Sequence, residues 1–106
     1  MITWKGLQKI LYKIEYLRQA ELDIQSMSDY ITYTLYNSQA AERLKSKILK
    51  SISILQYSPL LARPRISKNF HIPIRMLPVK NYLVFYSVSH YTVTIYRIIH
   101  SRQNLR

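Results

Sequence analysis

The chain has 106 residues, with 16 Lys and Arg against five Asp and Glu, three His, ten Tyr, four Pro, one Gly and no Cys. That length suits a single domain, and an apolar share of 48% is enough for a small core. The missing Cys excludes disulfides, thiolate zinc sites, dithiol redox motifs and Cys nucleophiles, and a reducing compartment, the cytoplasm, suits such a sequence.

The opening MITWKGLQKILYK places Trp4, Leu7, Ile10 and Leu11 at helical spacing, so residues 1–11 are expected to form an extension or arm, with the domain proper over residues 12–106. The arm lacks the apolar run and small-residue cleavage site of an export signal, and no stretch approaches the roughly 18–20 apolar residues of a membrane span. Tyr12 to Leu17 alternates and is rich in strand formers, so it reads as a first strand. A helix is expected from about Ala20 to Tyr36, with Ile24, Met27, Ile31 and Leu35 on one face and Glu21 and Asp23 in its first turn. Asn37 is expected to end it and Ser38 to cap a second helix from about Gln39 to Tyr57, whose stripe is Ala41, Leu44, Ile48, Ile52 and Leu55. Pro59 closes the pair.

Leu60 to Phe70 shows no helical period and reads as a loop or an extended connection. Ile72 to Leu77 reads as a short strand that Pro73 confines to an edge or a strand start. Tyr82 to Val88 and Thr92 to Ile99 read as a hairpin turning near Ser89 to Tyr91. The fold class is therefore α+β: an N-terminal strand, a helical hairpin, then a twisted and mainly antiparallel sheet that the helices cover on one face.

Charge divides the chain. All five acids (Glu15, Glu21, Asp23, Asp29 and Glu42) lie in the first 42 residues, together with four bases, whereas residues 43–106 hold twelve Lys and Arg and no carboxylate side chain. Such a one-signed field attracts an anionic partner, and nucleic acid, an acidic protein and a membrane surface are the physical options; with no membrane signal in the chain, no membrane partner is expected.

Four segments in order, YKIEYLRQAELDIQSMSDYI, LKSISILQYSPLLARP, IRMLPVKNYLVFYSV and VTIYRIIHSRQNL, resemble the RelE/ParE superfamily of type II toxin–antitoxin toxins over about residues 12–105. The resemblance implies two helices followed by a twisted antiparallel sheet and a role in growth arrest or plasmid stabilisation. It also implies an acidic antitoxin partner, which Lys45, Lys47 and Lys50 on the second helix are placed to meet. Two activities occur in the superfamily. The first reading of this chain is that of RelE-like members, which cut mRNA on the ribosome; the alternative is that of ParE-like members, which inhibit DNA gyrase without catalysis. The chain reads NYLVFY, with Leu83 where RelE has an Arg, and it has no Tyr after Arg102. The spacing of Arg75, seven residues before Tyr82, is closer to ParE-like sequences.

A metal-free ribonuclease needs an acid and a base beside cations that hold the phosphate. His100, with Arg97 three residues before it and Arg102 two after, is the candidate, joined by Arg75 as a catalytic cation. A regular strand would set His100 and Arg102 on one face. Lys80, Arg63, Arg65 and Lys68 are candidates for RNA or phosphate contact. Neither a cofactor nor a metal is expected, because His71, His90 and His100 are scattered without carboxylates beside them. Structural readings stand beside these. His100 can be a half-exposed histidine without a chemical task, Arg97 can snorkel or pair, and Arg75 can pair with Glu15 or Asp29. The strand tyrosines suit half-buried packing better than base stacking. A basic nucleic-acid-binding domain without toxicity is the third reading of the chain.

Overall fold

A computed structural model describes residues 10–65 and 73–103 of the chain. Strand β1 (Lys13–Tyr16) leads into helix α1 (Arg18–Asp29) and a π-helical turn (Tyr30–Thr34); helix α2 (Ser38–Ser53) follows, ending in a 3-10 turn (Ile54–Gln56). Strands β2 (Pro64–Arg65), β3 (Ile74–Val79), β4 (Tyr82–Ser89) and β5 (Thr92–His100) come next, and a 3-10 turn (Ser101–Gln103) follows β5. They form one five-stranded sheet in the order β1-β5-β4-β3-β2, antiparallel throughout except that β1 runs parallel to β5. Of the expected arm, only Ile10 and Leu11 are described, and both are exposed.

The α2 stripe is the core's helical wall. Ala41, Ile48, Ile52 and Leu55 are buried and Leu44 packs against the cluster, while Ala20 and Met27 contribute from α1. The sheet answers with Val84, Tyr86, Val93, Ile95 and Ile98. Fully burying side chains of this size stabilises the fold by about 1.5–3 kcal/mol each.

Three local readings differ from the sequence expectation. The first helix stops at Asp29 rather than Tyr36, because the chain widens into the π turn, where the Leu35 N–H reaches the Tyr30 carbonyl at 3.3 Å. β-Branched Ile31, Thr32 and Thr34 occupy that turn, and the shifted phase leaves Leu35 exposed instead of in the stripe. Asn37 is itself the cap of α2: its Oδ1 accepts the Ala40 N–H at 3.0 Å, and Ser38 is the first helical residue. The second strand after the helices begins at Ile74, past Pro73, and only its first two residues are flanked by β2. Pro78 lies within it, exposed.

The β4–β5 hairpin turns at His90 and Tyr91, both at positive φ (51° and 59°), the signature of a two-residue turn that follows the sheet's twist. Its ladder slips between Phe85 and Tyr86, where Tyr86 faces Ile95 and Phe85 faces Arg97. Tyr96 is the extra residue. This bulge reverses the alternation along β5, so Val93 and Ile95 share the helix side with Ile98 and His100 instead of with Arg97.

Candidate functional site

The bulge delivers His100 to the helix-covered side at the end of β5. Its imidazole packs edge-on against the Tyr82 ring, with centroids 5.2 Å apart, and its Nδ1 accepts the Arg102 N–H at 3.1 Å. A neutral His100 bonded this way carries its proton on Nε2, which leaves that N–H to face the hollow or solvent. The tail bends at this point. Ser101 donates its N–H to the Asn81 carbonyl at 2.8 Å, so Ser101–Gln103 forms a 3-10 turn over the β3–β4 connection rather than continuing the strand. Arg102 does not share a strand face with His100 as a regular β5 would require, but both border one hollow.

That hollow, about 520 Å³, lies between α1 and the ends of β4 and β5. Met27, Ile98 and Ile99 form its apolar part, and its polar part includes Asp23 and Ser26 of α1 with Tyr30, Tyr82, His100 and Arg102. Burial raises the Tyr82 phenol above its ordinary range, and Tyr30 nearby adds to the rise. Tyr82 is therefore neutral at pH 7, available as a hydrogen-bond donor.

The remaining candidates have other partners or other places. Arg97 is gripped by Asp23: Nε donates to Oδ2 at 2.8 Å and Nη2 to Oδ1 at 3.1 Å. The same Oδ2 accepts the Ile98 N–H at 2.8 Å. The reason is positional, since β1 accompanies β5 only as far as Ile95, and Asp23 on α1 takes up a strand donor that β1 no longer reaches. Burial pushes the Asp23 carboxyl upward, but bonds from Arg97, Ile98 and Gln19 outweigh it and leave the pKa lowered. Bonding to Asp23 raises Arg97. Arg97 is thus an anchor between helix and sheet.

Arg75 pairs in register with Tyr86, four residues along β4 from Tyr82, or roughly 13 Å of strand from the His100 end. Its Nη1 donates to the Ala62 carbonyl at 2.6 Å and not to Glu15 or Asp29. The expected grouping of Arg75 and Arg97 with His100 is not formed. Lys80 does sit at the His100 end, exposed in the β3–β4 turn at φ 54°. Arg63 is exposed on the connection before β2, Arg65 lies in β2, and Lys68 and His71 fall outside the described residues. On α2, Lys47 and Lys50 are exposed and Lys45 half-buried; Lys45 and Lys50 line a shallow hollow of about 390 Å³ with Glu42, Ser46, Leu49 and Ser53. Among the described residues no three His, Cys, Asp or Glu gather as metal ligands.

Sequence reasoning missed Asp23 as the partner of Arg97, and Tyr30 and Tyr82 as walls of the hollow. Asp23 gave no more signal than an acid in a helix's first turn, because its partner is 74 residues away.

Comparison with known proteins supplies a second kind of observation. Residues 14–105 match the family model of the ParE toxin of the type II toxin–antitoxin system parDE. No curated protein matches the chain. Among solved structures, a chain of the chromosomal ParDE toxin–antitoxin system from P. aeruginosa is similar at a TM-score of 0.72 and 18% identity, covering 87% of this chain and 98% of that one. A chain of a RelBE toxin–antitoxin complex from Mycobacterium tuberculosis is similar at 0.64 and 17% identity, covering 86% and 99%. A chain of an archaeal RelE–RelB complex from Pyrococcus horikoshii is similar at 0.62 and 15%, covering 89% and 99%. At these identities the likeness is one of fold. No helix among the described residues is long and apolar enough to cross a membrane.

Proposed function

The chain belongs to the ParE toxin family of type II toxin–antitoxin systems, and from that premise we propose that it arrests growth in the cytoplasm as a ParE-like inhibitor of DNA gyrase, acting by binding rather than by catalysis. One observation carries the choice over mRNA cleavage: two of the four residues a nuclease would draw on are already bonded within the fold. Asp23 neutralises Arg97 in a two-bonded pair, and Arg75 is fastened to the Ala62 carbonyl far along the sheet. Charge stabilisation at a reacting phosphate needs free cations converging on one point.

The partner that restrains the toxin is proposed to be an acidic antitoxin. The twelve bases and absent carboxylates of residues 43–106 support it, since an acidic segment would neutralise that field and associate rapidly. Lys45, Lys47 and Lys50, spaced along α2, are proposed contacts.

A second reading, ribosome-dependent mRNA cleavage, draws on the hollow itself. His100 and Arg102 meet there beside Tyr30 and Tyr82, so a histidine able to move a proton and a cation able to hold phosphate share one opening. In that reading Lys80 and Arg63 guide the RNA from outside.

Inducing the wild type and His100→Ala in a bacterial host separates the two. The favoured reading expects trapped gyrase–DNA breaks, intact abundant mRNAs by primer extension, and equal arrest by both proteins. Cuts within codons that vanish in His100→Ala would overturn it. Normal growth with both proteins would leave the chain without toxic activity.

A further inference from the structure

We propose that the tyrosine-rich tip of the helical hairpin is the surface by which this toxin engages its arrest target, a protein offering an apolar groove with a neutral or basic rim. The inference rests on the toxin reading above but not on which target is arrested.

Between Tyr30 and Tyr36 the chain turns from α1 to α2 and leaves Tyr30, Tyr33, Leu35 and Tyr36 in solvent, at 55%, 72%, 54% and 90% exposure. With about 150–250 Å² on each aromatic ring, the four leave on the order of 400–500 Å² of largely apolar surface uncovered. A standard interface buries about 800 Å² per partner, so the tip is large enough to be its centre. Tyrosine is among the residues that most often carry binding energy there.

The backbone singles out the same place. A π turn spans Tyr30–Thr34, and Tyr36, a bulky aromatic, is held at φ 52° where Gly or Asn is the ordinary occupant. The chain also places non-glycine residues at positive φ in its two β-turns, at Lys80, His90 and Tyr91, but there tight hairpin closure accounts for them. At the tip the side chain so presented is the most exposed large apolar residue described.

Charge decides the occupant. Residues 19–42 contain Glu21, Asp23, Asp29 and Glu42 and not one Lys, Arg or His. Asp23 is spent on Arg97; Asp29 is exposed and takes only the Gln25 amide, at 2.8 Å. Arg102 lines the same hollow as Tyr30, while Tyr33, Leu35 and Tyr36 are not among its lining residues and have no cation in their own segment. A nucleic-acid strand or an acidic antitoxin segment gains nothing electrostatically here and has the cationic residues of 43–106 to go to. A second copy of a chain with net charge +11 is opposed by its own repulsion. Protein groove and tyrosine tip remain, with the antitoxin's attraction lying elsewhere on the toxin.

The test is the double variant Tyr33→Ser/Tyr36→Asn. Asn accepts a positive φ, so the variant is expected to unfold at the same or a higher temperature than the wild type while losing growth arrest by roughly tenfold or more in the induction required. Undiminished arrest overturns the proposal. So does a fall in affinity for a fluorescent single-stranded oligonucleotide or an acidic peptide that equals the fall in arrest, or a wild-type dimer in sedimentation that the variant abolishes. If the wild type arrests growth without trapping gyrase–DNA breaks, the gyrase reading fails and the tip still stands or falls on the variant. A wild type that does not arrest growth sinks both. Should the double variant fail to fold by circular dichroism, Tyr33→Ser alone, with the backbone at Tyr36 untouched, is judged by the same arrest criterion.

Discussion

Asp23 binds Arg97 and the backbone of Ile98 with one carboxylate, tying the first helix to the last strand across 74 residues of chain. The side chain of Asp23 is only 9% exposed and that of Arg97 33%, so solvent weakens the pair from the arginine side alone. Asp23→Asn is expected to lower stability by about 1–3 kcal/mol at pH 7, read by chemical denaturation. The folded pKa of Asp23 lies below its unfolded value, so its contribution is full above the unfolded pKa and fades as pH falls through the folded one. The gap between wild type and variant is therefore expected to be constant from pH 6 to 8 and to close under acid conditions. A gap that widens on acidification would contradict the assignment.

Tyr86 ties the connection after α2 to the sheet. Its hydroxyl donates to the Pro59 carbonyl at 2.9 Å and accepts the Ala62 N–H at 3.2 Å. Burial raises its pKa against the opposing effects of Ala62 and Arg75, so the phenol stays neutral and keeps both bonds. Tyr86→Phe would strand two backbone groups and is expected to cost about 1–3 kcal/mol. Amide exchange at Ala62 should accelerate more than at Val84.

Capping of α2 rests on one side chain. Asn37→Ala removes the acceptor of the Ala40 N–H, and about 1 kcal/mol of stability should go with it, seen as a lower thermal midpoint. Ser38→Ala is expected to change little, since Ser38 is already inside the helix.

Lys80 occupies a positive-φ position in the β3–β4 turn, where a glycine carries no Cβ penalty. Lys80→Gly is expected to leave stability unchanged or raise it by up to about 0.5 kcal/mol. Its effect on function discriminates between the two readings. Gyrase inhibition by the tip should be indifferent to the lost charge, whereas phosphate contact beside His100 should weaken measurably and lose part of its salt dependence.

The two helices, the closing hairpin and the core stripe of α2 were legible because each is written in a local pattern: steps of three and four residues for Ala41 to Leu55, a short apolar run rich in strand formers for Tyr82 to Val88. The strand tyrosines also packed as their amphipathic nature dictates, with Tyr86 fully buried. What the periods cannot carry is an interruption of themselves. Tyr96 inserts one residue into β5 and reverses which neighbours face the helices, so Arg97 leaves the side that His100 joins. The π turn at Tyr30–Thr34 did the same to the first helix, turning Leu35 from expected core into surface. Arg75 illustrates a different limit, since strand register sets it opposite Tyr86 and register is a property of pairs of segments.

Among the described residues, strand β1, the first element, finds its one sheet partner in β5, the last strand. A nascent chain therefore carries Lys13–Tyr16 unpaired through the making of both helices and three further strands, and the clamp of Asp23 on Arg97 waits equally long. The architecture therefore cannot close until β5 has been made. A chain cut short after β4 is an open fragment: β1 and β4 both lack the strand that lies between them, Asp23 has no arginine to grip, and the exposed edges suit it to proteolysis.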